Sequence, residues 1–519
     1  MHRSAVRQSN EDIHLLLDEA AVAAASGCRL QFCPAAKDPA SPILTATENW
    51  EGQGPYTWCS RILYLPESSK YRMYYMSFQE EGNHYRTNIA ESADGLHWEK
   101  PAHFHTEYEG QPCSYAMETE GFGLGKPARS ATYDPRPECP PEEKYKSIAF
   151  SYDGVNVFFS PDGIHWRGHP QNPVWKASSD IIHCIWDDWL QKFVVYFKLW
   201  KLQALVKDDD APNGCREITA HYVFFDPTEL ADGWTELSGR RVYFRPDAAA
   251  TVRDETICVR SGSLSSDDGG GGHLSGAWST KRVVCRAESH DFIHWEKEQE
   301  VLSADDQDRP DANIQIAQVF TMGGYYLAFL TMHDQRGHFD QQLAFSTDGI
   351  HWKRPWRGNL ISHGAPGRFD HGMVTQPADP IITETQMLLY YGGSTGSHVS
   401  HGSLAIGRAM LRRDGFACWR SCGDSVGQLT TVPFFRKNDA LYLNADAEGG
   451  WITAALLDED GRIIPGFTHE NCIAIREDSA SHPACAIRVC WYGQAGLPAG
   501  NHFSIALRFQ NAAIYSIRI

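Results

Sequence analysis

The sequence predicts an all-β protein: a five-bladed β-propeller followed by a C-terminal β-sandwich. The first observation is a seven-residue motif, Ser-x-Asp-Gly-x-His-Trp, which follows a strand-like run in each copy. Its copies span 92–98, 160–166 and 346–352, with a degenerate copy at 289–295. Asp-Gly after a strand is a turn signal, because Gly accepts positive φ and Asp bonds backbone amides. The four tryptophans lie 68, 129 and 57 residues apart, which indicates a radial or stacked array of small sheets.

The second observation is that five such units can be counted. They begin near residues 50, 126, 180, 311 and 370, and each is predicted to hold about four strands. The third unit carries an insertion at 201–280, which explains the doubled interval and contains four consecutive glycines at 269–272. The fifth unit ends at 414–419, a drifted copy of the motif that keeps Asp-Gly and Trp.

The third observation is a change of pattern near residue 428. From there the chain has short strand-like runs without the Trp motif, which predicts a β-sandwich of about 90 residues. The expected organisation is an N-terminal lead-in at 1–45, a propeller at 46–425 with the insertion in its third blade, and a sandwich at 426–519.

The composition of the chain limits the kinds of partner that are expected. The formal net charge is −18, so neither nucleic acid nor an anionic membrane is an expected partner. No run of about 18 apolar residues is present, and no signal peptide is visible, so a cytoplasmic protein is expected. The 14 cysteines form no C-x-x-C motif. Free buried thiols are therefore favoured over disulfides or a zinc site.

Five units followed by a sandwich resemble the five-bladed propeller glycosidases: invertases, levanases and inulinases, with the related arabinanases and β-xylosidases. The C-terminal sandwich makes the layout most similar to the invertase-type branch. The seven-residue motif is also similar to the Asp-box turn of the six-bladed sialidases. The invertase-type Trp-Met-Asn-Asp-Pro-Asn-Gly and Arg-Asp-Pro motifs are absent, so no catalytic residue is carried over by motif.

The resemblance implies an axial funnel lined by the first strand of each blade. Four of the five first strands are preceded by a carboxylate: Glu51, Asp180, Asp311 and Asp370. A single Asp before a strand is usually a turn cap, but four carboxylates at equivalent places favour a functional site. Glycoside hydrolysis needs two carboxyl groups in different protonation states, and like charges that converge raise some of their pKa values. Glu51 is the candidate base or nucleophile, and Asp180 the candidate acid or modulator.

Substrate contacts are predicted from side chains near the same strand starts. Aromatic rings stack on sugar faces, while Arg, His and Gln bond hydroxyl groups. The candidates are Trp50, Tyr85, Arg86, Arg129, His183, Gln315, His371 and Tyr391. The four histidines of the repeated motif are interpreted as residues of the fold.

The resemblance implies hydrolysis of a small glycoside or oligosaccharide without an organic cofactor. No metal site is predicted; an axial Ca²⁺ is compatible with this architecture, but no residue pattern identifies its ligands. Two alternatives stay open. One is a glycoside phosphorylase, whose phosphate site would draw on Lys126, Arg129 and Arg86. The other is a carbohydrate-binding propeller without catalysis.

Overall fold

The computed structural model describes residues 13–79, 84–101, 103–108, 111–113, 130–151, 154–175, 181–207, 215–224, 234–237, 240–244, 278–334, 337–398, 400, 402–500 and 502–519. In this part of the chain the helical structure consists of four 3₁₀ turns, at Asn49–Glu51, Pro141–Glu143, Ser479–Ser481 and Pro483–Cys485. The all-β class is confirmed. None of the helical segments described is long and apolar enough to cross a membrane.

Four short strands come first and form no sheet of their own. They are β1 (Ile13–Leu15), β2 (Val22–Ser26), β3 (Cys28–Phe32) and β4 (Ala36–Lys37). The strands β1, β2 and β3 pair with the C-terminal part of the chain, and β4 pairs with the fifth sheet. The residues expected to be a lead-in thus contribute strands to sheets that are distant in sequence.

Five antiparallel sheets follow in chain order. The first contains β5 (Pro55–Leu65), β6 (Lys70–Gln79) and β7 (His84–Ser92), and a hairpin of β8 (His103–Tyr108) and β9 (Gln111–Cys113) follows it. The second contains β10 (Ser130–Tyr133), β11 (Tyr145–Ser151), β12 (Gly154–Ser160) and β13 (Arg167–Gly168).

The third sheet contains seven strands: β14 (Ile182–Asp187), β15 (Lys192–Lys207), β16 (Cys215–Phe224), β17 (Trp234–Leu237), β18 (Arg240–Phe244), β19 (Trp278–Ser289) and β20 (Glu296–Leu302). The fourth contains β21 (Asn313–Met322), β22 (Tyr325–His333) and β23 (Phe339–Ser346). The fifth contains β24 (Met373–Pro377), β25 (Ile381–Ile382), β26 (Gln386–Ser394), β27 (Leu404–Arg412) and the N-terminal β4.

The insertion at 201–280 enlarges the third sheet. Strand β15 runs into the insertion and pairs there with both β16 and β19. The sequence pattern also predicts a strand at 282–287, after the insertion, and this prediction is confirmed because these residues lie within β19. The glycine run at 269–272 lies outside the described residues.

The expectation of about four strands per unit is wrong for the first and fourth sheets as described. The segment after the motif makes a single bridge there, between Glu91 and Glu99 and between Phe345 and Lys353. In both sheets a proline follows the motif tryptophan after two residues, Pro101 or Pro355. Proline cannot donate a ladder hydrogen bond. The third sheet has no proline at the equivalent place and forms the full strand β20.

The five sheets contact one another in cyclic order. The first strand of each sheet contacts the first strand of the next, and β24 of the fifth sheet contacts β5 of the first. Among the residues that the structure describes, two hydrogen bonds join sheets that are not neighbours in this order. The Gln318 amide donates to the Ser60 carbonyl at 3.2 Å, and Arg61 donates to the Cys184 carbonyl. The first strands therefore meet at a common centre.

A tyrosine joins each of three repeat turns to the preceding sheet. Tyrosine hydroxyls donate to the glycine carbonyls of the turns in the pairs Tyr74–Gly163 at 2.8 Å, Tyr196–Gly349 at 3.2 Å, and Tyr390–Gly95. The motif tryptophans pack edge-on against the same tyrosines, in the pairs Trp166–Tyr74, Trp352–Tyr196 and Trp98–Tyr390. These tryptophans thus pack on a neighbouring sheet.

The C-terminal part of the chain forms two further sheets. Its strands are β28 (Ala417–Ser421), β29 (Gly427–Thr431), β30 (Phe434–Phe435), β31 (Tyr442–Asp446), β32 (Trp451–Leu457), β33 (Ile487–Arg488), β34 (His502–Gln510) and β35 (Ala513–Arg518). One sheet has the order β3-β28-β35-β31-β33 with β1 on β35; the other has the order β2-β29-β34-β30 with β32 on β34. Their buried side chains share one core, which includes Leu443, Ile452, Leu456, Ile505, Ile514 and Ile517.

The drifted copy of the motif does not supply the last strand of the fifth sheet. Strand β28, which contains Trp419, pairs with β3 and β35 in the C-terminal region. The outer place in the fifth sheet is taken by β4, which pairs with β27. The N-terminal residues therefore take part in the fifth sheet and in both C-terminal sheets.

Candidate functional site

Glu51 is completely buried on the 3₁₀ turn that precedes β5. Its Oε2 accepts from Lys100 Nζ at 2.7 Å and its Oε1 from the Tyr75 hydroxyl at 2.8 Å. The backbone amides of Thr47 and Glu48 also donate to Oε2. Hydrogen bonds to a carboxylate are among the strong ones in proteins, so four donors hold this side chain firmly in a place out of contact with solvent.

Asp370 is also buried, in the loop before β24. Its Oδ2 accepts from Lys37 Nζ at 2.5 Å and from the Tyr391 hydroxyl at 2.7 Å. Burial, and then the bond to Asp370, raise the pKa of Tyr391 well above its usual range, so this phenol keeps its proton. Two of the predicted site residues, Asp370 and Tyr391, are thus in direct contact, and β4 supplies the cation.

Asp311 lies just before β21, and its side chain is 20% exposed. Arg309 bridges it to a second carboxylate that the sequence analysis did not single out, Asp334, whose side chain is 13% exposed. The guanidinium nitrogens lie 3.0 Å from Asp311 and 3.4 Å from Asp334. Because β21 and β22 are antiparallel, the start of one lies beside the end of the other, and both carboxylates stand at the same edge of the fourth sheet.

A buried polar group lies beside these carboxylates. Arg282 on β19 donates to Gln315 Oε1 at 2.5 Å and contacts His333 Nδ1 at 2.8 Å. Since arginine can only donate, Nδ1 is the acceptor and the His333 proton is on Nε2. Burial, followed by the charge of Arg282, lowers the pKa of His333 far below its usual range. His333 is therefore a neutral imidazole whose Nε2 has no hydrogen-bond partner among the described residues.

An aromatic stack adjoins this polar group. The ring of Trp58 on β5 stacks on Phe339 at 5.6 Å and on His398 at 5.4 Å between centroids. His333 contacts Phe339 and His398 edge-on, at 5.0 and 5.4 Å. The first, third and fourth sheets and the loop between β26 and β27 thus contribute side chains to one cluster, which we call the central cluster: Trp58, Arg282, Gln315, His333, Phe339 and His398.

Two further predicted substrate contacts lie beside Glu51. Arg86 on β7 donates to the carbonyl of Trp50 at 3.3 Å, and Trp50 precedes Glu51 on the same turn. The strand position of Tyr85 is opposite Phe78, but its side chain is outside the described part of the structure. Asp180, Lys126 and Arg129 also lie outside the described residues.

The two remaining predicted contacts, His183 and His371, hold backbone segments in place. His183 is buried, and its Nε2 donates to the Val319 carbonyl at 2.8 Å, which joins the third sheet to the fourth. Burial, and then the charge of Arg61, keep the pKa of His183 well below its usual range, so it is neutral. His371 Nδ1 lies 2.8 Å from the Arg368 carbonyl in the loop before β24.

Sequence reasoning missed most of the central cluster. Gln315 was predicted, but Trp58, Arg282, His333, Phe339 and His398 were not, since each lies in or next to an ordinary strand-like run. One signal was available for Asp334, because it follows a strand whose antiparallel partner begins just after Asp311. The end of one antiparallel strand and the start of its partner meet at one edge of the sheet.

A cavity of about 630 Å³ lies away from this cluster, where the N-terminal strands meet the fourth sheet. Its lining includes Leu17, Phe345 and Trp419. The charged groups at its rim are paired with one another: Lys353 with Asp18 and Glu19, and Arg354 and Arg357 with Asp308. No group of three or more potential metal ligands is found within the described residues.

No protein-family model and no curated protein matches the chain. Solved structures similar to it include a glycosyl hydrolase from Bacteroides ovatus, with a TM-score of 0.42 and 11% identity, covering 73% of this chain and 94% of that one. A thermostable family-43 glycoside hydrolase has a TM-score of 0.38 and 13% identity, covering 71% and 92%.

A β-1,2-mannobiose phosphorylase from Listeria innocua has a TM-score of 0.41 and 8% identity, covering 73% of this chain and 96% of that one. Glycoside hydrolases, the class of protein that the sequence resembles, are thus among the solved structures similar to this chain. Because the identities and TM-scores are low, these matches assign no activity and no residue role to this chain.

Proposed function

We propose that the five sheets form a five-bladed β-propeller and that the protein is a carbohydrate-active enzyme that cleaves a small glycoside or oligosaccharide near the centre of the ring. The cyclic order of sheet contacts and the hydrogen bonds between first strands support the propeller. The domain limits at 45 and 425 are part of this proposal. The N-terminal strands β1–β4 complete the fifth sheet and the two C-terminal sheets.

The observation that carries the enzymatic proposal is the carboxylate pair Asp311 and Asp334. Glycosidic cleavage needs two carboxyl groups that a ligand can reach. These two side chains are partly exposed and share Arg309, whereas Glu51 and Asp370 are enclosed by their own cations. The pair stands beside the central cluster, since Asp334 directly follows His333, and most side chains of that cluster are buried.

The four carboxylates predicted from the sequence keep different roles in this proposal. Asp180 precedes β14 as Asp311 precedes β21, so it stays a candidate acid or modulator. Glu51 and Asp370 are buried ion-pair members, and we assign them to positioning: Glu51 holds the turn before β5, and Asp370 holds the loop before β24. Asp311 and Asp334 are the candidates for direct contact with the substrate.

The test is hydrolysis of aryl glycosides and short oligosaccharides by the wild type and by Asp311→Asn, Asp334→Asn and Asp180→Asn. We expect at least one of these variants to lose about 10²-fold or more in rate, the usual effect of removing an acid or base. Asp460→Asn is the matched control, since Asp460 is 68% exposed and pairs with Arg462 outside the five sheets.

Turnover that all three variants retain would place the chemistry elsewhere and overturn the assignment. Binding of a sugar without turnover on any substrate would support the non-catalytic alternative. In both cases the control variant shows whether asparagine at a surface carboxylate has an effect of its own.

One observation favours a phosphorylase as the second candidate. Lys198 and Arg282 are both nearly completely buried, and the positive charges of both lower the pKa of His333. Buried cations next to donors are suited to a phosphate group. Adding inorganic phosphate to the same assays distinguishes the two reactions, because a phosphorylase needs phosphate for turnover and releases a sugar phosphate.

A further inference from the structure

Two thiols that are far apart in sequence meet in the C-terminal region. Cys33 Sγ lies 3.8 Å from Cys418 Sγ. Both are free cysteines, one half-buried and the other buried. A disulfide needs the sulfurs at about 2.0 Å, so they would have to approach by roughly 1.8 Å, a distance that side-chain rotation can supply.

The backbone register explains why the thiols face each other. Phe32 on β3 is paired with Ala417 on β28, and the Cys33 amide continues the ladder by donating to the Phe416 carbonyl at 3.0 Å. Position 33 is thus opposite 416. Because side chains alternate between the faces of a strand, residues 416 and 418 lie on one face. Cys33 and Cys418 are therefore a diagonal cross-strand pair on the same face of the sheet.

The surroundings favour a thiolate on one of the two sulfurs. Cys33 donates its proton toward Cys418, and this bond, together with the nearby Arg420 and Arg412, lowers the pKa of Cys418. The same bond, followed by burial, raises the pKa of Cys33. The lowered pKa of Cys418 supports this sulfur as the one that attacks first, since thiolate character governs the reactivity of a cysteine.

We propose that Cys33 and Cys418 are an oxidative modification site at which a peroxide forms a disulfide between β3 and β28. The Cys418 thiolate attacks one oxygen of hydrogen peroxide, the O–O bond breaks, and the leaving hydroxide takes a proton to become water. Cys33 sulfur then attacks the Cys418 sulfenic acid, the S–S bond forms, and the second water leaves with the proton of Cys33. Two thiols and one peroxide give one disulfide and two waters.

The consequence of the crosslink follows from the sheet order. Strand β3 is at the edge of its sheet and pairs there with β28. The same N-terminal segment continues into β4, where Lys37 pairs with Asp370. A disulfide at Cys33 would fasten this segment covalently to the C-terminal sheet, and it would join residues 385 positions apart.

Peptide mapping tests the proposal. Trypsin separates the four cysteines in or directly after these two strands: Cys33 falls in residues 30–37, Cys418 in 414–420, Cys28 in 8–29 and Cys422 in 421–436. After treatment of the full-length protein with hydrogen peroxide and alkylation of free thiols, we expect a species linking 30–37 to 414–420 that is two hydrogen atoms lighter than the two peptides and disappears on reduction.

Two variants complete the experiment. Cys33→Ser should abolish the linked species, while Cys490→Ser, which removes another half-buried thiol, should leave it unchanged. We expect peroxide to raise the midpoint of thermal unfolding of the wild type and of Cys490→Ser, reversibly with a reductant, but not that of Cys33→Ser. Independent alkylation of both cysteines after oxidation, or a link from 8–29 to 421–436 in place of the expected one, would overturn the assignment.

Discussion

The buried carboxylate of Glu51 shows how one ion pair can anchor the turn that precedes β5. Glu51 is completely buried and the Lys100 side chain is 11% exposed, with 2.7 Å between the charged atoms. Removing one partner of a buried pair leaves the other charge without compensation. The position of Trp50 on the same turn depends on this contact, and so does the carbonyl that Arg86 binds.

We expect Lys100→Met to lower the free energy of unfolding by about 3–5 kcal/mol, because the Glu51 carboxylate stays buried without its cation. The double variant Glu51→Gln/Lys100→Met should recover part of the loss. Urea unfolding measures both. Lys297→Met is the control: Lys297 is 59% exposed and its partner Glu288 keeps Arg286 and Lys192, so its effect should stay below about 1 kcal/mol. Equal effects at the two lysines would contradict the argument.

A second prediction at this scale concerns His363, which lies beside the loop that carries Asp370. The bond to Asp340 raises the pKa of His363 above its ordinary value. A raised folded-state pKa contributes stability at pH values below the unfolded pKa, and this stability is lost as the pH rises through the folded pKa. The difference in unfolding free energy between the wild type and His363→Gln should therefore be larger at about pH 5 than at about pH 9. A difference independent of pH would show that His363 acts through packing alone.

The repeat turn is the element whose local geometry is tied to the packing between sheets. In the turn at 346–352, the Asp348 carboxylate accepts the amides of Ile350 and His351 at 2.8 Å. Burial raises the pKa of Asp348, but the His351 side chain and these amides outweigh it and lower that pKa to about 2. Gly349 has φ of 73°, and a Cβ there would lie 2.6 Å from the Tyr196 hydroxyl oxygen.

We expect Gly349→Ala to destabilise the protein more than Gly461→Ala does. Gly461 has φ of 77°, and a Cβ there would have no atom of the described residues within 4 Å, so alanine meets only the left-handed backbone penalty of about 1–2 kcal/mol. At Gly349 the contact with Tyr196 adds roughly 1–3 kcal/mol. Denaturant midpoints of both variants measure the difference. In the background Tyr196→Phe, which removes the hydroxyl, the extra loss at Gly349 should shrink.

On the scale of the whole chain, the N-terminal strands connect regions that the sequence separates by hundreds of residues. Leu15 pairs with Ser516 in the C-terminal sheet and lies against the turn between β21 and β22 in the fourth sheet, where a Cβ at Gly323 would be 2.5 Å from its Cγ. The Tyr325 hydroxyl also donates to Asp18 at 2.9 Å. The five sheets and the C-terminal sheets are thus joined through the first part of the chain.

We expect Leu15→Ala to cost about 2–5 kcal/mol, the range for a buried leucine whose neighbours cannot close the gap. Because Leu15 contacts both regions, the loss should appear in a single cooperative transition, measured by tryptophan fluorescence and by circular dichroism. Leu96→Ala is the control, since Leu96 is 40% exposed. Two separate transitions in the wild type would contradict the close coupling of the regions.

Local sequence patterns were sufficient for the class, the repeat and most strands. The Asp-Gly turns, the strand that follows the insertion at β19, and the change of pattern near residue 428 depend on neighbouring residues, and such short-range signals are visible in a single chain. The sequence did not predict which sheets β4 and β28 join. Either β4 or the strand after Asp414 could complete the outer edge of the fifth sheet. The choice is decided by pairing between residues that are hundreds of positions apart.

The site shows the same division. The sequence predicted a carboxylate before several of the first strands. It did not predict that Glu51 and Asp370 are each buried beside a lysine, or that Asp311 shares an arginine with Asp334. The partners Lys100, Lys37 and Arg309 come from a loop, an N-terminal strand and a neighbouring turn. A residue's charge is a property of the sequence, whereas its burial and its counter-ion exist only after the sheets have packed, because both depend on side chains brought together from distant parts of the chain.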